Sequence, residues 1–359
     1  MKAAVRQYVA TDLEGLERLR TAVHPHRPEA FDADWQCSIW RWLGTHPLAD
    51  GMHRWVAATD GGEVVGHLAA LPQFYRIGGH RIVAHTPADY QVLPGYGFHA
   101  LTLMRRFFSA TENYVSCDTE QQVIAVETRL GAEEAGRLQF AAKVWNVEGI
   151  PGFTLSIPGP MVRLLNLGLR AVDGALSSAL LAGDPSHPPV ERIYGFDASF
   201  DELFQSVTTA VPCVAEKDAA FLRWRYSPGS PQASAVVLGV RHEGGILGYA
   251  VLWVTKNGHD GYLLDLTVRP GRHDVARSLL MESVRFFRRA GVGSIRSRFI
   301  ESPTSPRTKD LWRLGFVLGN KRQSTLLVKF ADRALQEVAL DPAHWAYSFG
   351  DGEATFWIR

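Results

Sequence analysis

Short apolar runs punctuated by glycine turns open the chain, and segments of helical period follow them. Ala3 to Val9 is apolar, and Thr11-Asp12-Leu13-Glu14 carries a capping-box signature that predicts a helix to about Val23. Glu29 to Leu43 is a second helical stretch, rich in aromatic residues. Trp55 to Thr59 and Val64 to Leu71 flank Asp60-Gly61-Gly62, residues that tolerate positive φ, and so predict a β-hairpin. Phe74 to Ile77 and Arg81 to His85 flank Gly78-Gly79 as a second hairpin; Ala88 to Leu93 is a further strand, ended by Pro94-Gly95. From Phe98 to Thr111 the period changes, and Leu101, Met104, Phe107 and Phe108 share one helical face. A strand from Tyr114 to Cys117, a helix from Gln121 to Leu130 and a strand from Gly136 to Asn146 complete the unit. Two helices, an antiparallel meander and a β-α-β-α-β tail fit an α/β fold with a mixed sheet. They do not fit a doubly wound parallel sheet.

The second half repeats the first in order. Trp40-Arg41-Trp42 with Pro47 returns as Trp224-Arg225-Tyr226 with Pro231, and Asp60-Gly61-Gly62 with Gly66 as Glu243-Gly244-Gly245 with Gly248. Asp89 to Pro94 returns as Asp265 to Pro270, and Arg129-Leu130-Gly131 as Arg313-Leu314-Gly315. Several matches in one order argue for two copies of one fold. The expected division is a first unit over 1–150, a proline-rich helical linker over 151–190, a second unit over 191–335 and an extension over 336–359. Within the linker, Met161 to Leu181 reads as a helix packed across the joint.

At 359 residues the chain is long enough for two domains. Hydrophobic residues at 46% and charged residues at 21% describe a water-soluble globular protein. A formal net charge of +1 gives no global field toward nucleic acid or anionic membrane. Cys37, Cys117 and Cys213 are few and far apart, which suggests a reducing compartment and no metal-ligand pattern. No apolar run reaches the length of a membrane span, and the N-terminus shows no secretion signal. A cytoplasmic location and no membrane partner are therefore expected.

The ordered set resembles the GNAT acyltransferase superfamily. The likeness rests on Gly61-Gly62-Glu63-Val64-Val65-Gly66, on Asp89-Tyr90-Gln91-Val92-Leu93-Pro94 with Leu101 and Leu103, and on Leu130-Gly131-Ala132. The second half supplies Ile246-Leu247-Gly248-Tyr249, Asp265 to Pro270 with Leu279-Leu280, and Leu314-Gly315-Phe316. It covers roughly residues 1–150 and 195–335. The resemblance implies two tandem GNAT-like domains, each a mostly antiparallel mixed sheet flanked by helices with a splayed central parallel strand pair. It also implies acyl-CoA, in the first place acetyl-CoA, as co-substrate, with no metal. Tyr90 and Val92 would pair with the pantetheine amides. Gly95, Tyr96, Gly97, Phe98 and His99 would hold the pyrophosphate on backbone N–H groups at a helix N-terminus. The usual glycine-rich loop is shortened here, and in the second half Asp274 would oppose a phosphate.

Acyl transfer to an amine needs a base for the ammonium proton, a polarised carbonyl and an acid for the leaving thiolate. Asp89 and Asp265, at equivalent places on equivalent strands, are the expected bases, with Glu120 at the cleft mouth as a further catalytic carboxylate. The bland alternative makes each aspartate a structural partner of an arginine or a strand end. Cys117 reads as a buried small hydrophobe. The helix that often supplies the acid has no tyrosine, which leaves Tyr90, Tyr96 and Tyr114 as substitutes. His24, His26, His80, His85 and His99 are too scattered for a metal site. Trp40-Arg41-Trp42 and Trp224-Arg225-Tyr226 read as core packing rather than base-stacking platforms. The functional expectation is transfer of an acyl group to a small-molecule amine by direct attack. Alternatives are a donor on aminoacyl-tRNA or an acyl-carrier protein, or a non-catalytic, ligand-binding descendant of the fold.

Overall fold

The computed structural model describes residues 3–25, 32–147, 159–181 and 188–358. The first half comprises β1 (Ala3–Gln7), α1 (Leu13–Val23), α2 (Ala33–Leu43), β2 (His53–Thr59), β3 (Val64–Ile77), β4 (His80–Val92), α3 (Gly97–Ala110), β5 (Tyr114–Asp118), α4 (Gln121–Arg129) and β6 (Glu133–Val144). A helix, α5 (Gly159–Leu181), follows. The second half begins with β7 (Glu191–Ile193), α6 (Ser199–Ala210), β8 (Cys213–Ala215), α7 (Ala219–Arg225), β9 (Val236–His242) and β10 (Gly245–Val254). It continues with β11 (Asp260–Val268), α8 (His273–Arg289), β12 (Ser294–Phe299), α9 (Thr308–Arg313), β13 (Val317–Lys329), α10 (Arg333–Ala339) and β14 (Trp345–Ala346).

The hairpins form as their turns require, but two local readings change. The segments expected at Arg81 to His85 and Ala88 to Leu93 are one strand, β4, paired along its length with β3. At the first helix the N-cap position falls on Asp12 and not Thr11, and no side chain caps the helix. The Asp12 carboxylate accepts the Val9 N–H at 2.9 Å and an Arg6 bond at 2.7 Å. Residues 29–31 of the second expected helix lie outside the described residues, and Asp32 caps α2 by accepting the Trp35 N–H at 2.8 Å.

One mixed sheet runs β1-β2-β3-β4-β5-β13-β6-β12-β11-β10-β9-β7. Its centre is an exchange of strands between halves. β13 lies antiparallel between β5 and β6, and β6 lies antiparallel to β12. The last strand of each half therefore completes a sheet to which the other half also contributes. Helix α3 buries Leu103, Met104 and Phe107 on the first half of the sheet, and α8 buries Val275, Leu279, Leu280 and Phe287 on the second. Truncating one such phenylalanine to alanine costs about 3–5 kcal/mol. The two Trp-Arg segments meet across the joint: Trp42 and Trp224 stack at 4.5 Å and 10°, with the Arg225 guanidinium buried beside them and bonded to Gln232 and Thr355. They are core, as the packing reading has it.

Candidate functional site: an open splay between two parallel strands

β4 and β5 pair at a single position, His85 with Tyr114, and diverge beyond it. On its other side β4 stays paired with β3 as far as Val92, opposite Gly66. Within that ladder Asp89 and Tyr90 together oppose Leu68, a β-bulge that turns the strand. Asp89 sits at φ 51°, in the left-handed region that aspartate tolerates better than bulky residues. Among the described residues no strand lies against the flank of Tyr90 to Val92 that faces β5, although the turn over Glu353–Trp357 contacts β4.

The bulge is pinned by charge. The Asp89 carboxylate forms an ion pair with the Arg20 guanidinium of α1 and accepts from the Gln91 amide, all buried. His67 Nδ1 lies 2.9 Å from the Asp89 carbonyl oxygen and 3.2 Å from its carboxylate. Burial alone would raise the Asp89 pKa, but Arg20 and His67 hold the carboxyl well below the usual carboxylate range. Burial lowers His67, whose neutral ring can donate to the carbonyl. Asp89 is anionic and weakly basic, with its oxygens committed. Arg54 lies nearby, its guanidinium 3.7 Å from the ring centroids of both Tyr8 and Trp40.

The splay opens into a cleft of about 410 Å³ lined by both halves of the chain. Asp89, Tyr90, Gln91, Asp118 and Glu120 come from the first half; Tyr262, Arg296, Arg298, Phe349 and Glu353 come from the second. Asp118 accepts the N–H groups of Thr119 and Glu120 at 2.6 and 2.7 Å, while burial raises its pKa. Glu120 is exposed at the rim. Glu353 is the carboxylate that sequence reasoning missed. Burial pushes it up to about 8, and among the described residues it accepts one bond, from Trp357 Nε1 at 2.5 Å. A carboxylate in a cleft with a pKa near neutrality is suited to proton transfer. The only hint in the sequence was the aromatic density of Trp345 to Trp357, which implies docking into the molecule rather than a trailing end.

Cys117 lies on β5 with its thiol pushed up to about 12 by burial, so it is no thiolate at neutral pH. Behind the cleft wall Glu127 is fully buried with its carboxyl toward the Tyr114 hydroxyl, and among the described residues the Tyr90 hydroxyl closes no hydrogen bond. Burial pushes Glu127 up to about 8. Its folded pKa lies above the unfolded one, so the folded chain keeps a proton that the unfolded chain releases. Stability is therefore expected to fall as pH rises from about 4.5 to about 8, by up to ~5 kcal/mol from this group. Glu127→Gln is expected to flatten that decline, measured by urea unfolding at pH 5 and pH 8; an unchanged slope would refute the assignment.

Val92, Gly95, Tyr96, Gly97, Phe98 and His99 continue beyond the cleft lining, around the end of β4 and the start of α3. Gly95 takes φ +91°, which turns the chain into the helix. Tyr96 is the N-cap and gives no side-chain cap. The corresponding start of α8 is occupied by the chain itself, where Asp274 binds Arg272 at 2.7 Å and is lowered to about 2 by that bond.

The second splay is closed. β11 and β12 pair from Asp260 to Tyr262 and then part, but the chain from Trp345 to Asp351 fills the space. Phe299 bridges to Ser348, and the Ile300 N–H donates to the Tyr347 carbonyl at 2.8 Å. Asp265 is buried inside this plug, 3.1 Å from Lys217 Nζ and 2.7 Å from the Tyr249 hydroxyl. Lys217 also reaches Asp351 at 2.9 Å. The structure thus brings Asp89, Tyr90 and Glu120 to one cleft and puts Asp265 elsewhere. Among the described residues no His/Cys/Asp/Glu group could hold a metal ion, and no helix is long and apolar enough to cross a membrane. His26 lies outside the described residues.

This architecture is the GNAT fold, in tandem, with its terminal strands exchanged. It is similar to Saccharomyces cerevisiae N-myristoyltransferase with bound myristoyl-CoA, at TM-score 0.60 and 10% identity over 91% of this chain and 82% of that one. It is also similar to a GCN5-related N-acetyltransferase from Anabaena variabilis, at TM-score 0.55 and 13% identity over 93% of this chain and 74% of that one. No protein-family model matches the sequence, and no curated protein matches it either.

Proposed function

We propose that the chain is an N-acyltransferase that moves an acyl group from acyl-CoA, acetyl-CoA in the first instance, to a small-molecule amine. The observation that supports this best is the open edge at Tyr90 to Val92, which offers free backbone groups to an extended amide-bearing arm beside a cleft holding a near-neutral carboxylate. The pyrophosphate would lie at the N-terminus of α3, over Gly95 to His99, where the helix dipole and the N–H groups of Gly97 and Phe98 favour an anion, those of Tyr96 and His99 being bonded to the Leu93 and Tyr96 carbonyls.

In this reading Glu353 takes the ammonium proton, directly or through one water. The amine nitrogen then bonds to the thioester carbonyl carbon, the carbon–sulfur bond breaks, and the nitrogen's second proton passes to the leaving thiolate, directly or through water. The Tyr90 hydroxyl is buried behind the cleft wall beside Glu127, so it is not the proton donor to the sulfur in this reading. Asp89 serves as the anchor that holds the bulge through Arg20, and Glu120 as a rim carboxylate. Asp265 belongs to the plug that closes the second splay, which leaves one working cleft.

Calorimetric titration with acetyl-CoA and with longer acyl-CoAs tests the proposal. Saturable binding of at least one thioester at one site per chain is expected; no binding by a folded chain would reject it.

A further inference from the structure

The cleft carries charges of both signs. Arg296 and Arg298 stand two apart on β12, hence on one face of that strand, and both line the cleft. Arg298 donates to Ser324 Oγ at 2.9 Å and lies 5.3 Å from the Phe349 ring centroid. Arg296 contacts Asp260 at 3.0 Å. The carboxylates of the same cleft come from other elements: Asp118 and Glu120 from the end of β5 and its loop, and Glu353 from the C-terminal segment. Arg20, the remaining arginine, is engaged with Asp89.

An amine with no anionic group would need the carboxylates alone. The guanidinium groups stay in the cleft on a strand from the opposite half, and their planar donor forks match a carboxylate or a phosphate. Tyr262 and Phe349 between them supply apolar faces for the body of a ligand. We propose that the acceptor is an amine that also bears an anionic group, carboxylate or phosphate, bound by Arg298 and Arg296 while its nitrogen faces Glu353. This inference rests on the acyl-transfer reading for the role of the nitrogen, but the anion site stands on the cleft itself.

The test compares matched pairs by calorimetry: phenylalanine against phenylalaninamide for a carboxylate, and glucosamine 6-phosphate against glucosamine for a phosphate. At least one anionic member is expected to bind about ten-fold more tightly than its neutral counterpart. That preference is expected to fall toward unity in Arg298→Met and to survive in part in Arg298→Lys. Equal binding within both pairs, binding by none of the four, or a preference untouched by Arg298→Met would overturn the proposal. Because acceptor binding is read without the donor, these outcomes are separate from failure of the acyl-donor reading, which the acetyl-CoA titration reports by itself.

Discussion

Glu353→Gln is expected to lower acyl transfer by about 10²- to 10⁴-fold, the range lost when a positioned proton-transfer group is removed, while acetyl-CoA binding persists. The amide keeps the shape and still accepts from Trp357 Nε1, so a folding defect is not the expected cause. The pH profile gives an independent readout. With Glu353 raised to about 8 by burial, a base role requires kcat/KM to climb with pH and level off above that value. In the glutamine variant that limb should disappear. Asp89→Asn should behave differently, because Asp89 is already ionised and tied to Arg20: it should weaken donor binding through the bulge without moving the limb. Full activity in Glu353→Gln, or an unaltered pH limb, would exclude Glu353 as the base.

Lys217→Met is expected to destabilise the fold by about 3–5 kcal/mol, the usual cost of stranding a buried charge. Its ammonium is buried between Asp265 and Asp351 and touches Ser348 at 3.3 Å. Burial would strip its proton, yet the two aspartates keep it charged. Removing the lysine leaves two carboxylates facing each other out of water. The companion variant Lys217→Met with Asp265→Asn and Asp351→Asn removes that charge and should recover much of the loss in urea unfolding. No loss in the single variant, or no recovery in the triple, would show that Asp265 is not the structural member of a plug.

Much of the fold was legible because it is written in local pattern. The apolar run from Val64 and the helical face of Leu101, Met104 and Phe107 appear as β3 and α3. Strand β4 was read as two pieces because Thr86-Pro87 interrupts the run, while in the sheet both residues pair with β3. The strand exchange was not legible at all. β6 and β13 would show the same alternation whichever neighbour they bonded, so partner choice leaves no mark in the sequence. The site was half legible. Asp89, Tyr90 and Glu120 were placed by analogy of strand position and reach one cleft. Arg20, Arg298 and Glu353 come from sequence-distant elements, and Glu353 acquires its basicity only from the burial that folding imposes. Asp265 matches Asp89 in sequence and differs in surroundings, since only the second splay receives the terminal segment.

Backbone amide hydrogen exchange, with and without saturating acetyl-CoA, tests the central claim most directly. The account predicts slowed exchange over Tyr90 to Val92 and Gly95 to His99, with Leu263 to Val268 of the closed splay unchanged. Unaltered exchange along β4, or protection confined to the second splay, would contradict it.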